Sequence, residues 1–218
     1  REQVQFNAER PRDSVAIDHM GPLPMSQRGN RCITVYYDRV SGFCVAEPVT
    51  DISAYTTATT LYKRWICAFG TPTSILCDNG SDFRSELFEH LSDSVGVLHS
   101  FSTSHHASTN GAVERFNRTL KMGLRAISIE TDVDFSQSHT EWDDYVPVIA
   151  SCHNNRPSRR THYRYTPSEV FLGYRPDFGM DLKVRELKKL EKRQRGKKYI
   201  EWIQNQVKVI QTCAAKEQ

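Results

Sequence analysis

The chain has 218 residues, of which 38% are hydrophobic, 25% charged and 10% aromatic, a profile that excludes a collagenous or wholly disordered protein. This length can bury one sizeable core plus a short extension, and no run of apolar residues is long enough to span a bilayer, so no membrane partner is expected. The six cysteines lack the spacing of zinc ligands and the chain opens without a secretory leader, which predicts an intracellular protein without zinc.

The net charge of +3 is distributed unevenly along the chain. Residues 183–198 hold nine basic and two acidic side chains, a local charge of +7, so the remainder sums to −4. A basic segment joined to a mildly acidic body fits a protein that holds a polyanion at one end and uses carboxylates for metal chemistry at the other. A solvated surface helix explains the basic segment equally well.

Five short apolar runs predict β-strands. The first three, at 14–18, 33–37 and 43–48, are joined by short turns, which predicts an antiparallel meander. The last two, at 74–77 and 97–101, flank a predicted helix over 82–95. A strand-helix-strand unit predicts a parallel crossover, and therefore an α/β layered sheet.

Apolar spacings of three and four residues predict further helices. These are a helix over 53–69, a long helix with apolar positions from Val113 to Ile127 after a polar loop over 102–110, a helix containing Trp142, and a short helix with a capping box of Thr166 and Glu169. The composition becomes charge-rich beyond Arg175. We therefore expect an N-terminal tail over 1–12, a core domain over 13–175 and a basic helical extension over 176–218.

Three acidic residues stand out by position. Asp18 ends the first predicted strand, Asp78 follows the fourth, and Glu114 lies in the first turn of the predicted long helix. Functional sites collect at strand ends of α/β sheets, and carboxylates from several elements are what a pair of Mg²⁺ or Mn²⁺ ions requires. For any one of these acids alone, a cap or a solvated surface group is the more common role.

The sequence around the three acids resembles the integrase catalytic core of gypsy-type long-terminal-repeat retrotransposons and, more distantly, of retroviruses. Thirty-five residues separate Asp78 from Glu114, the interval that this family keeps between its last two metal ligands. The matching motifs are 18–24 (DHMGPLP), 70–72 (GTP), 78–83 (DNGSDF), 110–121 (NGAVERFNRTLK) and 166–169 (TPSE). Together they cover about residues 13 to 175.

The resemblance implies a ribonuclease-H-like fold, with a five-stranded mixed sheet flanked by helices. It implies 3′-end processing of retroelement DNA and strand transfer into target DNA, catalysed by Asp18, Asp78 and Glu114 with two bound Mg²⁺ or Mn²⁺ ions. It also implies a nuclear protein that acts on double-stranded DNA as a homodimer or higher assembly. Ribonucleases H carry a further metal-binding glutamate on the first helix, whereas 53–69 contains no acidic residue, which favours strand transfer over RNA cleavage.

Basic and polar side chains near these acids are candidate DNA contacts. Arg118, Lys121 and Arg125 follow Glu114 at helical intervals and share its face of the long helix. The predicted DNA-binding set is Asn110, Arg118, Lys121, Arg125, Lys188, Lys189 and Arg193. The alternatives are an ion pair between Glu114 and Arg118 and, for Asn110, a helix N-cap.

Two other functions stay open at this level. A host-recruited integrase descendant would bind DNA or proteins without joining strands, and an assembly module would use the basic extension together with the apolar positions from Ile200 to Ile210. The presence of all three acids favours the enzyme over both.

Overall fold

The structure is a computed structural model that describes residues 10–77, 96–101, 107–132, 134–176 and 201. The predicted helix over 82–95 lies outside the described residues, as does the basic extension beyond 176 apart from Glu201. Among the helices of the described ranges, none has the length and apolar character needed to cross a bilayer.

Five strands form one mixed sheet in the order β3-β2-β1-β4-β5. They are β1 (Ser14–Met20), β2 (Cys32–Asp38), β3 (Cys44–Val49), β4 (Ser74–Cys77) and β5 (Leu98–Phe101). The first three pair antiparallel, whereas β4 runs parallel to β1 and β5 runs parallel to β4. The predicted meander and the predicted parallel pair are therefore both present.

Helices cover both faces of the sheet. Strand side chains alternate between faces, so Ala16 packs in one apolar cluster while Val15 and Ile17 pack in the other. The first cluster includes helix α2 (Ala107–Thr131) and helix α3 (Trp142–Asn154). The second includes helix α1 (Ala54–Leu61) and the short helix α4 (Pro167–Leu172). The aromatic residues Trp65, Phe116 and Trp142 are all buried in these clusters.

The first and last helices follow their local sequence signals. Helix α1 starts after Ser53, whose hydroxyl oxygen accepts a hydrogen bond from the Thr56 amide, and it continues through a π-helical segment (Tyr62–Ile66) and a final turn (Cys67–Phe69). Helix α4 has the predicted capping box of Thr166 and Glu169. No feature of the sequence indicated the π-helical segment.

The start of helix α2 corrects the sequence prediction. Residues 107–110 belong to this helix, so the prediction of a loop reaching residue 110 was wrong for them. Residues 107–110 (ASTN) are small and compatible with a helical turn, and without a large apolar side chain among them the periodicity cannot mark where the helix begins. Consequently Glu114 lies about two turns into the helix and not in its first turn. Asn110 lies inside the helix and is not its N-cap.

Candidate active site

Asp18 lies on the side of the sheet that helix α2 covers. It is two residues beyond Ala16 on β1, and side chains at this interval share a face. Its Oδ1 atom accepts a hydrogen bond from the His19 amide at 2.9 Å, and its Oδ2 atom accepts one from the Asn117 side-chain amide at 2.7 Å. The carboxylate is therefore attached to helix α2 and held in one orientation.

The contact with Asn117 brings Glu114 to the same edge of the sheet. Asn117 follows Glu114 by three residues, and residues at this interval are neighbours on a helix surface, roughly 5–6 Å apart between their Cβ atoms. Asp18 is half-buried and Glu114 is exposed, so both carboxylates face an edge that solvent reaches. On helix α2, Glu114 thus lies next to the residue that contacts Asp18, and the meeting of the two acids stays a prediction.

Asp78, the third predicted acid, lies outside the described residues and directly follows Cys77, the last residue of β4. The parallel register of β1 and β4 pairs Ser14 with Ser74 and Ala16 with Leu76, a constant offset of 60 positions. The same offset relates position 18 to position 78. Within the ranges that the structure describes, no three His, Cys, Asp or Glu side chains form a metal-binding group, so the third carboxylate stays a prediction.

His19 fixes the end of β1 on the opposite side of the sheet. Its Nδ1 atom is hydrogen-bonded to the Thr34 hydroxyl at 3.2 Å, and its Nε2 atom to the Thr57 hydroxyl at 3.3 Å. One contact is on β2 and the other on α1. The residue after Asp18 is therefore held between strand and helix, which restrains the backbone that carries the candidate ligand.

Asn117 also has a free acceptor beside the acids. Its Oδ1 atom is buried and has no hydrogen-bond partner among the described residues. A buried acceptor without a donor is unfavourable, and such atoms are expected where a further ligand or water completes a site. Carboxylate oxygens with an unsatisfied amide oxygen beside them are the hard donors that Mg²⁺ and Mn²⁺ prefer. The residues present therefore fit a divalent cation.

The predicted basic face of helix α2 is present. Arg118, Lys121 and Arg125 are exposed, like Glu114, while the apolar stripe that includes Phe116 is buried against the sheet. The ion pairs between described residues join Arg28 to Asp143 and Asp144 and Arg64 to Glu47, so none of them joins Glu114 to Arg118. The alternative of an ion pair between Glu114 and Arg118 is therefore not observed.

The other predicted DNA contacts are less defined. The backbone of Asn110 is helical, and its side chain lies outside the description. Lys188, Lys189 and Arg193 all lie outside the described residues. Sequence reasoning missed the roles of Asn117 and His19, because their partners are distant in sequence or on another element. The only signal for Asn117 was its place three residues after Glu114.

The chain is similar in sequence to polyproteins of known transposons. Residues 8–107 match the family described as integrase core domain. The chain carries an integrase core domain. It is 30% identical over 161 residues to the retrovirus-related Pol polyprotein from transposon 412 of Drosophila melanogaster, a match that covers 74% of this chain and 12% of the polyprotein. It is 29% identical over 170 residues to the transposon Tf2-3 polyprotein of Schizosaccharomyces pombe, covering 78% and 12%.

Solved structures place the same integrase core fold in retroviral proteins. The simian T-cell lymphotropic virus intasome in complex with PP2A regulatory subunit B56 gamma matches with a TM-score of 0.63 at 20% identity, over 79% of this chain and 58% of that chain. The HTLV-2 integrase catalytic core domain in complex with magnesium, in its trimeric form, matches with a TM-score of 0.60 at 19% identity, over 76% and 99%. The predicted ribonuclease-H-like fold is thereby confirmed.

Proposed function

We propose that this integrase core domain is a metal-dependent polynucleotidyl transferase from a gypsy-type retroelement, which processes 3′ ends of element DNA and transfers them to target DNA. The observation that carries the proposal is the 2.7 Å hydrogen bond from Asn117 to Asp18, which joins the acid of β1 to the helical face that bears Glu114. The relatives named as transposon polyproteins support the substrate class, although the chain spans only 12% of their length.

Asp18, Asp78 and Glu114 would hold two Mg²⁺ or Mn²⁺ ions, as the carboxylate chemistry and the similar core solved with magnesium suggest. When bound, such ions activate an attacking oxygen and stabilise the leaving 3′ oxygen in an in-line displacement at phosphorus. The chain itself would orient Asp18 through the hydrogen bonds from Asn117 and the His19 amide. No covalent intermediate with the protein is required.

The exposed cations of helix α2 would position the DNA. Arg118, Lys121 and Arg125 extend along one face of the helix away from Glu114, so they would contact successive phosphates of a duplex leading out of the site. Such contacts set the register of DNA without selecting its sequence. We assign the same role to Asn110 and, from charge alone, to Lys188, Lys189 and Arg193.

We further propose that the protein works in the nucleus as a homodimer or higher assembly on double-stranded DNA. Solved cores of similar fold are described as dimeric and trimeric forms of HTLV-2 integrase, and another belongs to an intasome. The boundaries of the core, 13–175, and the basic helical extension over 176–218 belong to the same proposal.

A strand-transfer assay tests the catalytic assignment. With recessed, element-like DNA ends and Mn²⁺, we expect Asp18→Asn, Asp78→Asn and Glu114→Gln each to reduce product about 10²-fold or more, because each change removes an anionic metal ligand. The matched control is Glu130→Gln, an exposed glutamate on the same helix that is remote from Asp18.

Equal product from the wild type and all three variants would remove the catalytic claim. The alternative, a host-recruited binding protein, predicts a different result. The wild type and all variants would then bind duplex DNA without forming product, and calorimetry would detect no heat of Mn²⁺ binding.

A further inference from the structure

The segment between helices α3 and α4 carries a dense set of exposed arginines that the proposed active site does not use. The 24 residues from 145 to 168 contain four arginines and no carboxylate. Three of these arginines, Arg159, Arg160 and Arg164, lie within residues 158–165 together with Tyr163 and Tyr165. We call residues 158–165 the arginine–tyrosine loop.

Hydrogen bonds within the arginine–tyrosine loop hold it in one shape. The Ser158 amide donates to the Tyr165 carbonyl at 3.0 Å, the Tyr163 amide donates to the Ser158 carbonyl at 2.8 Å, and the Thr161 hydroxyl donates to the Tyr165 carbonyl at 2.7 Å. His162 and Tyr163 have φ angles of 49° and 62°, although neither is glycine. This left-handed backbone is unfavourable for such residues, and strain of this kind is concentrated at functional sites.

Arg160 attaches the loop to the sheet. Its guanidinium donates to the carbonyl oxygens of Arg39 and Val40 in the turn between β2 and β3, and it lies 5.7 Å from the centre of the Tyr37 ring. Val15, near the start of β1, pairs with the last residue of β2, whereas Asp18 is three residues further along β1, on the order of 10 Å away. The loop thus lies toward the opposite end of β1 from the candidate active site.

The charges and rings of the loop are exposed. Ion pairs in the described part of the chain use Arg28 or Arg64, so none of them neutralises Arg159, Arg160 or Arg164. The side chains of Tyr163 and Tyr165 are 61% and 56% exposed. Exposed aromatic rings interleaved with unneutralised guanidinium groups are the composition that binds phosphates and unpaired bases together.

We propose that the arginine–tyrosine loop binds single-stranded nucleic acid at a surface separate from the candidate active site. Arg159 and Arg164 would contact backbone phosphates, while Tyr163 and Tyr165 would stack on unpaired bases. A duplex offers few free base faces to these rings, and the loop contains only a three-residue 3-10 turn, too short to enter a major groove. An acidic peptide would satisfy the arginines but would give the rings no base to stack on.

Fluorescence anisotropy with a labelled oligo-dT tests the proposal on the whole chain, in EDTA so that no metal site contributes. Arg164→Ala/Tyr165→Ala should weaken binding about tenfold, because it removes one phosphate contact and one stacking ring. Tyr174→Ala/Arg175→Ala is the matched control, since it removes an exposed tyrosine and the adjacent exposed arginine from the segment after helix α4, outside the arginine–tyrosine loop. The control should bind like the wild type.

A second measurement reports the site of contact directly. Ultraviolet crosslinking of an iodouracil-containing strand, followed by peptide mapping, should label Tyr163 or Tyr165. Crosslinks confined to other segments, equal affinity of the two double variants, or equal competition by poly-glutamate would each overturn the proposal. Because none of these readouts uses strand transfer or a metal ion, loss of the proposed catalytic function would leave this result standing.

Discussion

At the residue scale, the candidate site depends on a hydrogen bond between Asn117 and Asp18 that no local sequence pattern predicts. Asp18 and Glu114 were predicted from their positions at element ends and from the interval between Asp78 and Glu114, and the structure attaches Asp18 to helix α2, which carries Glu114. The hydrogen bond from the Asn117 amide to Asp18 was missed because the two residues are 99 positions apart in the chain. Periodicity predicts which face of a helix is polar, but it cannot say which residue on that face touches the sheet.

Asn117→Ala tests the role of this hydrogen bond in orienting Asp18. Removing the amide takes away a donor that orients Asp18, and loss of such an outer contact commonly costs 10–100-fold in metal affinity, about the fall that we expect for Mn²⁺ in calorimetry. Asn155→Ala is the control, because its side-chain amide, just after helix α3, donates to the Ser151 carbonyl of that helix and makes no hydrogen bond to Asp18. Unchanged Mn²⁺ affinity in Asn117→Ala would contradict the role.

The burial of His153 predicts that the stability of the protein depends on pH. Burial is the main cause that lowers the pKa of its imidazole, and the nearby charges of Arg156 and Arg160 lower it further. The Gly42 carbonyl, to which the ring is hydrogen-bonded at 3.2 Å, acts in the opposite direction and raises the pKa. As the pH falls through about 6.5, the unfolded chain takes up a proton that the folded chain does not, so the free energy of unfolding decreases. Urea unfolding from pH 7.5 to 5 should show a shallower loss of stability for His153→Gln than for the wild type. Equal slopes for wild type and His153→Gln would refute this.

At the element scale, the strands were the most predictable part of the fold. Their bounds agree with the predicted runs to within two residues, because short β-branched or aromatic runs between turn residues mark strands that are buried on both faces. The start of α2 and the π-helical segment after α1 were not predictable, since polar turns and a changed helical pitch leave no comparable pattern. The packing of α2 against α3 is likewise a tertiary feature, visible only in the structure.

Alanine substitutions at two glycines of helix α2 distinguish the effect of side-chain packing from that of helix propensity. A Cβ atom at Gly123 would lie 2.9–3.2 Å from three side-chain atoms of buried Ile149 on α3, whereas at Gly111 it would meet only the end of the Arg115 side chain, at 3.4 Å. We expect Gly123→Ala to destabilise the protein by about 1–2 kcal/mol and Gly111→Ala to stabilise it by up to about 1 kcal/mol. Thermal unfolding measures both changes, and equal shifts of the melting temperature for the two variants would contradict this packing.

At the scale of the whole molecule, the first helix offers a surface for assembly. Tyr55 and Tyr62 are 70% and 50% exposed at positions two turns apart, so they share one side of this helix. Large exposed aromatics on one side are typical of subunit contacts. If the proposed dimer uses this side, Tyr55→Glu/Tyr62→Glu should shift light scattering to the monomer mass, whereas Tyr163→Asn, at another exposed tyrosine, should not. A dimer that persists in the double variant would exclude this surface.

The central claim is that carboxylates distant in the chain share one pair of cations, and a crystal structure soaked with Mn²⁺ tests it most directly. The account predicts anomalous manganese density in contact with Asp18, Asp78 and Glu114, beside the Asn117 amide. Density elsewhere, or an Asp78 side chain directed away from the other two acids in the soaked crystal, would contradict it.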